Sequence, residues 1–195
     1  MRRNLAILLI CLASPANADS WEFNQLNNHL GAFSLGLLAG IGGHELGHIV
    51  VAKAGDIDVE FDGLTIVYPN EDLSDRQRLR VASAGFQAQW LISEFALRYR
   101  DSYKMTAAGD NFNAGVVWAH LGISVAYLTV LKNNKDGDIE GMSQATGISN
   151  DRLALMIAIP AGLDAWRLMG KNVPAWVPTV SLGIKSIGIA AIWTF

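Results

Sequence analysis

Five long apolar segments follow one another along the chain, separated by shorter polar stretches. They cover residues 30–52, 81–97, 112–131, 153–169 and 175–195. A helix needs about 17–25 residues to cross the hydrocarbon core of a bilayer. Each segment is close to that length, so the pattern predicts an all-α, polytopic membrane protein with five transmembrane helices.

A different pattern lies between the first two segments. Apolar and polar residues alternate over 57–61, and a second β-prone run covers 64–68. Alternation is typical of a strand, and the Asp62-Gly63 dipeptide between the runs is favoured in two-residue hairpin turns. We therefore predict a small β-hairpin at about residues 57–68, with Asp62 in its turn.

The beginning of the chain has the order of charge and hydrophobicity of a secretory signal peptide. Two arginines precede a short apolar run, and Ala16-Asn17-Ala18 has the small residues of a cleavage site. We predict a signal peptide at 1–18, followed by a single transmembrane domain at 19–195. The alternative, an uncleaved signal anchor, leaves the same part of the chain outside the cytosol.

Composition and charge narrow the class of protein. Hydrophobic residues make up 51% of the chain and charged residues only 17%, whereas a soluble domain carries about 25% charged residues. The chain has no basic blocks, which argues against nucleic-acid binding. Loop lysines and arginines are in excess on the side of the predicted hairpin, and such residues mark the cytosolic side. These features predict a multi-pass protein of a bacterial inner (cytoplasmic) membrane.

The first predicted helix contains an HExxH motif, with His44, Glu45 and His48. Histidines four residues apart lie on one helix face, so both imidazoles can reach one metal ion. The glutamate beside the first histidine can take a proton from a water activated by the metal and pass it to a leaving amine. An ionisable residue inside a membrane helix costs about 2.5–3.5 kcal/mol, and such residues mark functional sites. The motif predicts bound Zn²⁺ with Glu45 as general base; the alternative is polar helix packing without a metal.

Zinc bound by two histidines needs a third protein ligand, with one position left for water. Asp136 and Asp138 follow the third predicted helix, on the same side of the membrane as the end of the HExxH helix, and are the favoured candidates. The alternative for this pair is a turn in which Asp138 caps a helix. Asp164 in the fourth predicted helix is less favoured, because it lies deep in the membrane unless Pro160 breaks its helix. Asp62 in the predicted turn is the least favoured.

Other polar residues within the predicted helices have simpler interpretations. Glu94 and Arg98 are spaced four residues apart and Asp164 and Arg167 three apart, so each pair can form an ion pair on one helix face. His120 is interpreted as a hydrogen-bonded packing residue, with a supporting role next to the metal as the alternative.

The motifs together resemble those of the site-2 protease family of intramembrane metalloproteases. The common features are HExxH in a membrane helix, a short β-hairpin after it, and a second helix that opens with Ala84-Gly85. The family's motif at that helix is similar to A-G-P-x-A-N, from which this chain departs at Phe86 and Gln89. The resemblance implies an aspartate as third zinc ligand, from an L-D-G segment. Asp136-Gly137 keeps the family's order with an aspartate before glycine, and Leu163-Asp164 also matches in part, with Ala165 in place of the glycine. It also implies hydrolysis of peptide bonds within or beside the membrane.

We therefore predict a zinc-dependent intramembrane endopeptidase whose partners are the lipid bilayer and a membrane-protein or membrane-inserted peptide substrate. The hairpin could offer a strand edge to an extended substrate. The alternative is a non-catalytic membrane scaffold that binds metal or a partner and retains the motif, in line with the departures at Phe86 and Gln89. A Glu45→Gln variant that keeps its metal distinguishes the endopeptidase from the scaffold, because the substitution would abolish a phenotype only if that phenotype depends on catalysis.

Overall fold

A computed structural model describes residues 19–62, 65–68 and 72–195. Within these ranges the chain is predominantly helical, as predicted. A 3₁₀ turn at Phe23–Asn28 precedes the first helix, and a π-helical turn at Tyr127–Leu131 extends the fourth. The helices are α1 Leu30–Ala54, α2 Asp75–Ala82, α3 Ala84–Ser102, α4 Ala107–Ala126, α5 Asp138–Thr146, α6 Asn150–Met169 and α7 Trp176–Thr194.

Two three-residue strands lie between α1 and α2. Strand β1, Glu60–Asp62, pairs antiparallel with strand β2, Thr65–Val67. Asp62 is paired with Thr65, so it is the last residue of a strand and not the turn residue that we predicted. The strand pairing therefore includes Asp62, which a turn formed by Asp62 and Gly63 would leave unpaired. The connecting residues 63–64 lie outside the described part of the chain.

Three helices in the described part of the chain are long and apolar enough to cross a membrane: α1, α4 with its π-helical turn, and α7. They coincide with the first, third and fifth predicted segments, which agrees with the prediction of a membrane protein. Helices α3 and α6 have 19 and 20 residues, but both carry charged side chains within their length. The signal peptide predicted at 1–18 lies outside the described residues.

The buried face of α1 repeats every four residues. Its buried members are Gly36, Gly40, His44, His48 and Ala52. Large apolar side chains on the rest of the helix are exposed, among them Leu35, Leu38, Leu46 and Val50. This division places both motif histidines against the other helices and the leucines where lipid would cover them.

Helix α1 packs most extensively against α4, and glycines bring the two backbones together. A Cβ added at Gly36 would lie 1.9 Å from the carbonyl oxygen of Phe112, and one at Gly115 would lie 2.1 Å from that of Phe33. Gly47 approaches the beginning of α3 in the same way. Small residues at helix interfaces allow this close approach, which supports packing in a membrane.

We predict that Gly115→Ala lowers the thermal unfolding midpoint of the detergent-solubilised protein, because the new methyl group would overlap backbone atoms of α1. Such overpacking costs roughly 1–3 kcal/mol. Gly122→Ala on the same helix is the matched control, since no described atom outside its own helix turn lies within 4 Å of its Cβ position. Equal midpoints for the two variants, measured by thermal denaturation, would contradict the described packing.

Candidate metal centre

The structure brings both histidines of the HExxH motif to the first residue of α5. The Nε2 atom of His44 lies 3.0 Å from Oδ2 of Asp138, and Nε2 of His48 lies 3.3 Å from the same oxygen. The two Nε2 atoms are 3.3 Å apart. These three side chains form a group that could hold a metal ion, and we call it the metal group.

The spacing of the three donor atoms suits a tetrahedral ion. Ligand atoms about 2.0–2.1 Å from a tetrahedral zinc lie about 3.3 Å from one another. The separations in the metal group, 3.0 to 3.3 Å, match that value closely. Two imidazoles and one carboxylate also leave a fourth position free, as catalytic metal sites do.

Further hydrogen bonds orient two members of the group. Nδ1 of His48 donates to the carbonyl oxygen of Val81 at 2.8 Å, which leaves Nε2 as the nitrogen with a free electron pair. The hydroxyl of Tyr127 donates to Oδ2 of Asp138, also at 2.8 Å. Tyr127 belongs to the π-helical turn, a distortion that is frequent at functional sites.

Gly85 of α3 provides the space for an ion. A Cβ at this position would lie 2.5 Å from Nε2 of both His44 and His48, so any other side chain would crowd the two nitrogens. The next residue, Phe86, packs edge-to-face against the rings of His44 and Tyr127, with centroids 5.2 and 5.0 Å apart. Glycine is thus required at position 85, and the phenylalanine at 86 closes one side of the group.

Electrostatics keep Asp138 in the form that a metal needs. Burial would raise the pKa of Asp138, but hydrogen bonds with His44 and His48 hold it well below its usual range. The side chain is therefore a carboxylate at neutral pH, the state that ligates metals. Burial, together with the charges of Asp138 and Glu45, raises the pKa of Tyr68, so this neighbouring phenol stays protonated.

A pocket of about 480 Å³ opens beside the metal group. Glu45, His48 and Asp138 contribute to its wall, so a bound molecule can reach the predicted base and two predicted ligands. Glu45 is half-buried, whereas His44 and His48 are buried. The predicted catalytic glutamate is therefore accessible from the pocket whose wall also includes His48 and Asp138.

The other candidate aspartates lie elsewhere. Asp136 is exposed and lines the same pocket, but it is not a member of the metal group. Asp164 is fully buried and accepts hydrogen bonds from Ser93 at 2.8 Å and Ser181 at 2.7 Å. Helix α6 continues through Pro160 without a break, and Asp164 is not a member of the metal group. The geometry favours Asp138 over the other candidates as the third ligand.

A second group of polar side chains lies where α3, α4, α6 and α7 meet. We call it the buried ionic cluster; its members are Glu94, His120, Asp164, Arg167 and Lys185. Nζ of Lys185 lies 2.6 Å from Asp164 and 3.1 Å from Glu94, and Arg167 lies 2.7 Å from Glu94. His120 Nδ1 lies 3.1 Å from Oδ2 of Asp164. Each charge in the cluster faces an opposite charge on another helix.

The two predicted ion pairs within helices are present. Arg98 donates to Glu94 at 2.8 Å, and Arg167 lies 3.5 Å from Asp164. We did not predict that Lys185 joins both carboxylates, because its partners are distant in sequence. A lysine in the middle of an otherwise apolar segment was the available signal, since such a residue needs a buried partner.

Sequence patterns also missed two tyrosines at the metal group, Tyr68 and Tyr127. Both lie outside the HExxH motif, and a single tyrosine at the end of an apolar segment carries no recognisable spacing. Their positions depend on the approach of α4 and the strands to α1. Only the three-dimensional structure reveals that approach.

The fold and the site together define a helical membrane protein with a candidate metal centre of two histidines and an aspartate. Comparisons of the chain with protein-family models, with curated proteins and with solved structures find no match. The ligand geometry, the pocket and the position of Glu45 are thus the basis for assigning a function.

We predict that Asp138→Ala weakens Zn²⁺ binding by more than the ~10–100-fold that loss of an outer hydrogen-bond partner costs, because a direct ligand is removed. Asp136→Ala is the matched control, since it removes a carboxylate from the same pocket but not from the metal group. Equilibrium competition with a chelator measures both affinities. Unchanged binding in Asp138→Ala with loss in Asp136→Ala would contradict the geometry.

Proposed function

We propose that the protein is a zinc-dependent endopeptidase that hydrolyses peptide bonds of membrane-embedded or membrane-inserted substrates. The observation that carries this proposal is the position of Glu45 on the pocket wall beside His48 and Asp138. Two imidazoles, a carboxylate and a free position form a ligand set typical of catalytic zinc. The resemblance of the HExxH region to site-2 proteases supports the same reaction.

Each residue of the site has a defined task in this reaction. His44, His48 and Asp138 would hold the ion, which when bound polarises the scissile carbonyl and makes water more acidic. Glu45 accepts a proton from the attacking water and then donates it to the leaving nitrogen. The protonated phenol of Tyr68, on the same pocket wall, can donate a hydrogen bond to the substrate.

The position of the site supports a membrane substrate. His48 lies five residues before Lys53 in the last turn of α1, or roughly 7–8 Å along the helix axis. Ile66 of β2 and the apolar residues Leu73 and Val81 contribute to the pocket wall. A peptide bond inside a membrane helix is shielded, so a substrate would have to unwind, and the edge of β2 could pair with the extended segment.

We further propose that α3 and α6 complete a five-span topology. Their mean hydropathy is reduced by charged residues, but three of these residues, Glu94, Asp164 and Arg167, are buried in the ionic cluster. Glu94 of α3 pairs with Arg167 of α6, and Asp164 of α6 pairs with Lys185 of α7. Charged groups inside membrane segments are tolerated when they face the bundle interior and pair with one another.

Reporter fusions after Asn70 and after Ser102 test this topology. With α3 crossing the membrane, we expect the first reporter to be cytosolic and the second to be extracytosolic. A protein in which only α1, α4 and α7 cross would place both reporters on one side. Alkaline phosphatase and a reporter that is active in the cytosol, each fused at both positions, show on which side of the membrane each position lies.

We predict that Glu45→Gln slows substrate cleavage by about 10²–10⁴-fold, the usual contribution of a general acid–base residue. Zn²⁺ binding should remain, because Glu45 is not a member of the metal group. Quantitative comparison of membrane proteins in cells with the unsubstituted or Glu45→Gln chain should reveal an intact substrate that accumulates with the variant. Asp136→Ala serves as the active control.

An unchanged membrane proteome with Glu45→Gln, in cells where deletion of the chain causes a change, would contradict the enzyme proposal. That result would favour the non-catalytic scaffold.

A further inference from the structure

We propose that His120 positions the metal ligand His44 through a buried water held between the two imidazoles. This inference rests on the proposed function, because it assigns a supporting residue to the same metal group. It concerns two buried nitrogens, Nδ1 of His44 and Nε2 of His120, neither of which has a hydrogen-bond partner among the described residues. A metal-ligating histidine almost always donates its second N–H to a partner.

The hydrogen bonds of His120 determine which of its nitrogens can accept. Its Nδ1 lies 3.1 Å from Oδ2 of Asp164, a carboxylate oxygen that can only accept, so Nδ1 carries the hydrogen. Lys185 and Arg167 already balance the charges of Asp164 and Glu94, so a neutral His120 adds no excess charge. In the neutral ring, Nε2 is then an acceptor without a partner.

The complementary donor belongs to His44. Its Nε2 faces Asp138 and His48 in the metal group, so a bound ion would take the electron pair of Nε2. The ring then carries its hydrogen on Nδ1, which becomes a buried donor. An unpaired donor and an unpaired acceptor therefore occur on neighbouring helices.

Helix packing brings α1 and α4 together next to both residues. A Cβ added at Gly40, one turn before His44, would lie 2.4 Å from the Cβ atom of Ala119, the residue next to His120. Nδ1 of His44 and Nε2 of His120 do not hydrogen-bond to each other among the described residues, so only a molecule between them could connect them.

Other unpaired polar atoms lie one helical turn away. Ser124 follows His120 by four residues on α4, and its buried hydroxyl has no partner in the described part of the chain. Gln89 follows Gly85 by four residues on α3, and neither atom of its buried amide is paired within that part. Because Gly85 contacts His44, these groups have the placement to supply the two to four partners that a buried water needs.

The resulting path joins the buried ionic cluster to the metal group. Asp164 fixes the ring of His120, His120 accepts from the water, and the water accepts from His44. His44 is thereby held in the orientation that directs Nε2 toward the ion. The role of His120 is positioning, since it touches neither metal nor substrate.

Two isosteric variants separate this role from a purely structural one. In His120→Asn the amide nitrogen replaces Nδ1 and keeps the bond to Asp164, but nothing replaces Nε2. In His120→Gln the amide oxygen can reach the Nε2 position and accept from the water, whereas the bond to Asp164 is lost. We expect about a 10–100-fold loss of Zn²⁺ affinity in His120→Asn and a loss of only a few-fold in His120→Gln.

Equilibrium Zn²⁺ titration of the detergent-solubilised full chain measures these affinities without a peptidase assay. No loss in His120→Asn, or a loss in His120→Gln that equals or exceeds the loss in His120→Asn, would overturn the inference. The ¹⁵N shifts of His120 in the metal-free, unsubstituted protein provide a test that needs no variant. We expect hydrogen on Nδ1 and a hydrogen-bonded, unprotonated Nε2, and hydrogen on Nε2 would overturn the inference.

Failure of the proposed function has a different signature. Zn²⁺ binding that follows the His120 pattern, combined with full activity of Glu45→Gln, would remove the proposed reaction while it supports the positioning role.

Discussion

The close approach of α1 to α3 and α4 brings the members of the metal group together. Gly85 presents no side chain beside the Nε2 atoms of His44 and His48, which leaves room for both to meet Asp138. Two turns earlier on α1, Gly36 permits contact with the backbone of α4. Without these glycines the helices would stand further apart, and the imidazoles would not share one partner oxygen. Close backbone packing therefore creates the ligand geometry.

A second constraint is the pairing of charge in the interior. Removing one partner of a buried ion pair leaves an uncompensated charge and destabilises a protein by about 3–5 kcal/mol. Here each charge has more than one partner: Lys185 contacts both Glu94 and Asp164, and Arg167 contacts the same two carboxylates. These contacts join α3, α6 and α7 and hold Asp164 in place beside His120. The cluster thus supports the helices that surround the metal group.

Local patterns in the sequence were sufficient for much of the fold. Apolar length predicted the three helices suited to crossing a membrane, and the four-residue spacing of His44 and His48 predicted two ligands on one face. The third ligand could not be derived in this way, because Asp138 reaches the histidines through the packing of α5 against α2. Lys185 and Tyr127 show the same limit, since their roles depend on helices distant in sequence. The spacing of residues along the chain predicts contacts within one helix or strand. Contacts between helices depend on how the helices pack in three dimensions.

His44, His48 and Asp138 together could bind one metal ion in a site with an open position. X-ray absorption of the zinc-loaded, detergent-solubilised protein tests this coordination. We expect a four-coordinate ion with two imidazole nitrogens at about 2.0–2.1 Å and oxygen ligands at about 2.0–2.2 Å. Asp138→Ala should lose this spectrum. A spectrum of a fully hydrated ion without imidazole scattering, or one unchanged in Asp138→Ala, would contradict this ligand set.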